Sequence, residues 1–176
     1  MSGERKRGLV IVNTGDGKGK SSSAFGMMLR AVARGWRVIV IQFIKSEEWK
    51  TGERKMADQL GVDWITGGDG FTWESDDMEA TERAAQDAWA RAGSIITAGE
   101  YDLVILDEVT YPITFGWIPV EEVVSVITGR PHGVNVIITG RDADPALVDL
   151  ADTVTEMKKV KHAFDKGIPA RKGLDF

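Results

Sequence analysis

The chain has 176 residues, 43% hydrophobic and 28% charged, with a net charge of −5 and no cysteine. That balance predicts one soluble globular domain spanning residues 1–176 and excludes disordered, collagen-like and disulfide-stapled classes. Net acidity removes any general attraction to nucleic acid or anionic lipid, so an anion site must be built locally from helix ends, lysines and arginines.

Residues 1–7 are polar and basic, and the apolar stretch after them, Leu9-Val10-Ile11-Val12, is too short for a signal-peptide core or a membrane span. It reads as a buried strand, and the cytoplasm is the expected location. A helix over 20–34 follows, with Ala24, Met27, Met28, Ala31 and Val32 at helical spacing and Gly35 at the C-cap. Val38-Ile39-Val40-Ile41 is a second strand, and 62–66 a weaker one. The glycine- and aromatic-rich stretch 66–75 reads as a long loop, and long ordered loops are often functional. Ser75 and the acidic Asp76, Asp77 and Glu79 open a helix over 76–98. Strands Leu103-Val104-Ile105-Leu106 and Val134-Asn135-Val136-Ile137-Ile138, helices 120–127 and 145–150, and an alternating edge strand 153–157 complete the chain. Apolar strands alternating with helices predict a three-layer α/β fold, mainly parallel, with helices on both faces.

The first strand runs into Thr14-Gly15-Asp16-Gly17-Lys18-Gly19-Lys20-Ser21-Ser22, at whose end a helix begins. Glycines there let backbone N–H groups curl round an anion at the positive end of a helix; Lys20 offers a point charge, and Ser21 a hydroxyl for magnesium. The usual first glycine of such a loop is Thr14 here, and an extra Gly15 follows. The strand ending at Leu106 runs into Asp107 and Glu108, two carboxylates at a strand's C-terminal end, where ligands of parallel sheets gather. One of them suits magnesium or its water, and residue types alone do not choose between them. Taken alone, these features specify a P-loop nucleotide protein.

From Gly8 to Phe176 the chain also resembles the ATP:cob(I)alamin adenosyltransferases of the P-loop type that serves cobalamin synthesis and salvage. The likeness is carried by residues 14–21, Gln42-Phe43-Ile44-Lys45, Gly70-Phe71-Thr72-Trp73, Leu106-Asp107-Glu108, Val136-Ile137-Ile138-Thr139-Gly140-Arg141 and Lys161-His162-Ala163-Phe164-Asp165. It implies a RecA-like fold that holds ATP reversed in the loop, with C5′ of the adenosine presented to a corrinoid whose cobalt(I) is the nucleophile. Lys20 then lies on the phosphates, Ser21 and Glu108 match the family's magnesium ligands, and Asp107 competes for the metal shell. Arg141 has two readings, a phosphate contact or a structural salt bridge. Phe71 and Trp73 share a face of an extended segment and, as residue types, read as packing anchors. The resemblance implies instead that they close under the corrin and displace the lower axial ligand, which eases reduction of cobalt(II).

The resemblance further implies a homodimer and an electron donor such as a reduced flavoprotein, while net acidity and the shortness of the apolar stretches predict neither nucleic acid nor membrane as partner. Ser21 stands where many members have Thr, and Asp16 where Asn is common, which adds negative charge beside the phosphates. Longer members carry an N-terminal extension that folds over the corrinoid, whereas only residues 1–7 precede the matching stretch here. Two rival functions share the residues: a P-loop phosphotransferase or ATPase, which would release ADP, and a non-enzymatic corrinoid or nucleotide carrier. His132 reads as a turn residue beside Pro131 and Gly133, and His162 as a structural or corrinoid-edge residue.

Overall fold

A computed structural model of the protein describes residues 7–44, 51–67 and 78–175. Six strands form one all-parallel sheet: β1 (Val10–Thr14), β2 (Val38–Gln42), β3 (Asp63–Thr66), β4 (Leu103–Asp107), β5 (Asn135–Thr139) and β6 (Thr153–Glu156). Their spatial order is β3-β2-β4-β5-β1-β6, with every neighbouring pair parallel. β2 and β4 are buried at every position, as their unbroken apolar runs require. β6 is exposed throughout, which suits its alternating composition and its place at the sheet edge.

Because strand side chains alternate, each strand feeds two cores. On one face Val12, Ile39, Ile41, Val104, Leu106, Val136 and Ile138 pack with Trp89, Ala92 and Ile96 of α3 (Met78–Ala98), Val123 and Ile127 of α5 (Val120–Thr128) and Leu147 of α6 (Pro145–Leu150). On the other, Val38, Val40, Leu103, Ile105 and Ile137 meet Ala24, Phe25, Met28 and Ala31 of α1 (Lys20–Val32) and Ala57 of α2 (Gly52–Gln59). The three layers expected from the strand–helix alternation are therefore present.

Several local features differ from expectation. α1 ends at Val32, two residues early, because Gly35 at φ 73° turns the chain and its N–H bonds the Val32 carbonyl at 2.9 Å. α2 has no counterpart in the sequence reading; it is short, buries only Ala57, and is started by Thr51, whose side chain accepts from the Arg54 N–H. A five-residue helix, α4 (Thr110–Thr114), follows β4 directly, where Pro112 masked any helical pattern. A 3-10 turn spans Ala163–Lys166. Ser75, Asp76 and Asp77, the expected start of α3, lie outside the described residues. Among the described residues no helix is long and apolar enough to cross a membrane.

Candidate functional site

The order β4-β5-β1 sets the C-terminal ends of three parallel strands side by side, so Asp107, Thr139 and Thr14 come to the same end of the sheet. The loop from Thr14 into α1 is built on two left-handed glycines, Gly15 at φ 95° and Gly19 at φ 113°. Residues with a Cβ rarely adopt such angles. Gly19 caps α1 without a side-chain bond, and the helix has no acidic residue in its first turn, so nothing of the helix's own offsets its positive end. The loop is fastened on its far side: the Gly17 N–H donates to the Met157 carbonyl at 2.6 Å, and the Met157 N–H to the Thr14 carbonyl at 2.7 Å. A Cβ on Gly17 would lie 2.7 Å from that Met157 oxygen, so the glycine is required by close approach. Lys18 pairs with Asp175 near the C-terminus.

Lys20 folds back to donate to the Gly17 carbonyl at 2.7 Å. Burial lowers its pKa below the ordinary 10.5, the neighbouring Arg141 lowers it further, and Asp16 and Glu108 act in the opposite sense. Arg141, Asp16 and Glu108 thus each lie within electrostatic reach of Lys20. Arg141 is itself exposed and follows Gly140, whose φ of 143° and contact with Thr110 leave no room for a Cβ. A cavity of about 300 Å³ opens here, lined by Asp16, Gly17, Lys18 and Lys20 of the loop, by Arg141, and by Lys159, His162, Phe164 and Asp165 of the segment after β6. The lining carries more cationic than anionic side chains, as a polyphosphate site requires.

The two strand-end acids differ in environment. Asp107 is fully buried, and both its oxygens are engaged: Oδ2 accepts from Gln42 Nε2 at 2.8 Å and Oδ1 from the Thr139 hydroxyl at 2.7 Å. Glu108 is half-buried at φ 63°, and its N–H donates to Thr139 Oγ1 at 2.9 Å. Ser21 is half-buried at the start of α1, while the exposed Ser22 borders a separate apolar groove between α1 and α2. His132 lies in a turn, as read, and His162 Nδ1 accepts from the Phe164 N–H at 3.1 Å, capping the 3-10 turn. Phe71 and Trp73 lie outside the described residues.

Three features of the site escaped the sequence reading. Gln42 and Thr139 are polar residues closing apolar strands, and that position was the available signal. Backbone contact between Met157 and the loop left no signal, because it involves no side chain. Phe164 and Asp165 belong to a stretch that carries the family resemblance, but nothing in their types placed them against the loop.

Comparison with known proteins matches this architecture to one family. The model of the family described as ATP:corrinoid adenosyltransferase BtuR/CobO/CobP matches residues 6–176. The corrinoid adenosyltransferase of Escherichia coli K12 is 43% identical over 171 residues, covering 97% of this chain and 87% of the relative. The corrinoid adenosyltransferase CobA of Salmonella typhimurium LT2 is 43% identical over 173 residues (98% and 88%), and that of Pseudomonas aeruginosa 42% over 175 (97% and 85%). Among solved structures, the flagellar accessory protein FlaH of Methanocaldococcus jannaschii superposes with a TM-score of 0.61 over 88% of this chain and 73% of its own; at 11% identity it shares the fold alone. Identity of this order over 97% of the chain, on a sheet that brings the glycine-rich loop near the strand-end acids, means that the chain belongs to the ATP:corrinoid adenosyltransferase family.

Proposed function

We propose that this chain performs its family's reaction by moving the 5′-deoxyadenosyl group of ATP onto the cobalt(I) of a corrinoid and releasing tripolyphosphate. Cobalt(I) supplies the electron pair for the new Co–C5′ bond, and the C5′–O bond breaks with its pair leaving on the triphosphate. Such a nucleophile needs no side-chain base, so the protein's task is to align the reactants and to neutralise the leaving group. The observation that carries the reading is the placing of Lys20 and Arg141 together beside the glycine-lined loop, in a chain that matches the family over residues 6–176.

We assign the loop Thr14, Gly15, Asp16, Gly17, Lys18, Gly19, Lys20 and Ser21, together with Ser22 and Arg141, to the triphosphate. The hard oxygens of Ser21 and Glu108 are the donors assigned to Mg²⁺. Among the described residues no group of three or more His, Asp or Glu side chains converges, which fits an ion that takes most of its ligands from nucleotide and water. Bound with ATP, Mg²⁺ supplies charge neutralisation of the departing triphosphate. Asp107 is given a framework role, because both its oxygens already accept hydrogen bonds. Phe71 and Trp73 are assigned to the lower face of the corrin. A homodimer acting in the cytoplasm with a reduced flavoprotein as electron donor completes the proposal, with residues 1–176 as one catalytic domain.

The test is an anaerobic incubation with ATP, Mg²⁺ and chemically reduced cob(I)alamin, followed optically for a light-sensitive carbon–cobalt product while the phosphate products are separated. Tripolyphosphate in step with the alkylated corrinoid is expected. ADP and an unaltered corrinoid would instead identify a phosphotransferase, and no turnover of either ligand would identify a carrier.

A further inference from the structure

We propose that Thr139 is a positioning residue whose hydroxyl, bridging Asp107 and the Glu108 backbone, holds the Glu108 carboxylate ready for the metal–nucleotide complex. The inference rests on the reading that Glu108 serves the metal. Glu108 is one of two non-glycine residues with positive φ among the described residues, and this conformation is sterically disfavoured for a residue with a Cβ. Such a residue keeps its backbone only where its surroundings over-determine it.

Here the surroundings are a directed chain of hydrogen bonds. Thr139 Oγ1 accepts the Glu108 N–H at 2.9 Å, so its single proton is left to donate, and Asp107 Oδ1 receives it at 2.7 Å. Asp107 Oδ2 is taken by Gln42 Nε2 at 2.8 Å. Gln42, Asp107 and Thr139 are 4%, 0% and 0% exposed, so water does not compete for these bonds. The three residues end the adjacent strands β2, β4 and β5, which makes the network a clamp across the sheet at the point where Glu108 leaves it. Asp107 Oδ1, as acceptor, fixes the direction of the Thr139 hydroxyl, and Thr139 in turn fixes the Glu108 amide. Glu108 also lies within electrostatic reach of Lys20, so its backbone angle sets where a carboxylate stands relative to the phosphate loop.

The test compares Thr139→Val, which keeps the side-chain shape but has no hydroxyl, with Thr139→Ser, which restores it, and Glu108→Gln as the reference. Mn²⁺ affinity of the ATP-bound protein is read by electron paramagnetic resonance of the free ion, and ATP affinity is measured separately in excess chelator. Thr139→Val is expected to weaken Mn²⁺ binding by about 10- to 100-fold, the usual effect of removing a residue that orients a metal ligand. Thr139→Ser should recover it, and ATP binding in chelator should not change. If Thr139→Val does not fold, Thr139→Ala is read in the same way. Unchanged Mn²⁺ affinity in the hydroxyl-less variant, or an equal loss in Thr139→Ser, overturns the inference while leaving the Glu108 assignment standing. A Glu108→Gln protein that binds Mn²⁺ normally overturns that assignment itself.

Discussion

Lys20 is tied to its own loop: its Nζ donates to the Gly17 carbonyl oxygen at 2.7 Å, so the ammonium is folded back onto the glycine turn proposed to take the triphosphate. Burial holds its pKa below 10.5, with Arg141 the next contribution. An incoming triphosphate favours the charged form and raises that pKa, so ATP binding takes up a proton between the free and bound values. Affinity should therefore fall as pH rises through the free-state value. Calorimetry in buffers of different ionisation heat, on the alkaline side just below 10.5, measures the uptake. Lys20→Met should abolish the uptake and weaken ATP binding by at least about tenfold, the loss of a charge-assisted hydrogen bond.

Two glycines should respond to alanine with opposite signs. At Gly15, φ is 95° and a Cβ would stand 2.6 Å from the Met157 carbonyl oxygen, so Gly15→Ala should cost about 1–3 kcal/mol of stability and loosen the loop. At Gly26, within α1, a Cβ meets nothing within 4 Å, and Gly26→Ala should stabilise the fold by about 0.5–1 kcal/mol. Urea midpoints of the two variants check the contrast.

Asp152 joins the start of β1 to the start of β6. It accepts the Val10 N–H at 2.9 Å and pairs with Arg7. The Val10 N–H, and after it the Arg7 guanidinium, lower its pKa below the usual 3.8. A carboxyl whose folded pKa is depressed adds stability above its unfolded value and loses it as pH falls through the folded one. Asp152→Asn should thus destabilise the protein at neutral pH by less than about 1 kcal/mol, because its partner Arg7 is exposed and solvent screens the pair. The difference from the parent should shrink as pH drops below 3.8, as measured by denaturant midpoints across pH.

For Phe71 and Trp73 the assigned task is to remove the lower axial ligand before cobalt(II) is reduced. Phe71→Ala with Trp73→Ala should therefore spare adenosylation of pre-reduced cobalt(I) and abolish it when cobalt(II) must be reduced on the enzyme. Anaerobic rate measurements with the two starting oxidation states decide the matter, and equal loss in both would remove the assigned role.

The layered architecture was legible because its signals are local. Val38 to Ile41 and Leu103 to Leu106 are unbroken apolar runs that demand burial on both faces, and the Ala24, Met28, Ala31 spacing allows only one face of a helix. Thr14 to Ser21 was equally plain, since close-set glycines between a strand and a helix are a backbone requirement written in residue types. α2 and α4 were not legible. One buries a single alanine and the other contains Pro112, so neither carries a periodic stripe to be found.

At the site, order along the chain named Asp107 and Glu108 as a pair but left their roles equivalent. Their difference arises from strand neighbours: Gln42 and Thr139, 65 and 32 residues away in sequence, meet only because β2 and β5 flank β4, and together they occupy both oxygens of Asp107. Residue types and spacing thus specify which groups must exist, because conformational preference and burial act over a few residues. Which of two adjacent carboxylates is spent inside the sheet depends on hydrogen-bond partners brought in from distant strands, and those become neighbours only when the sheet assembles.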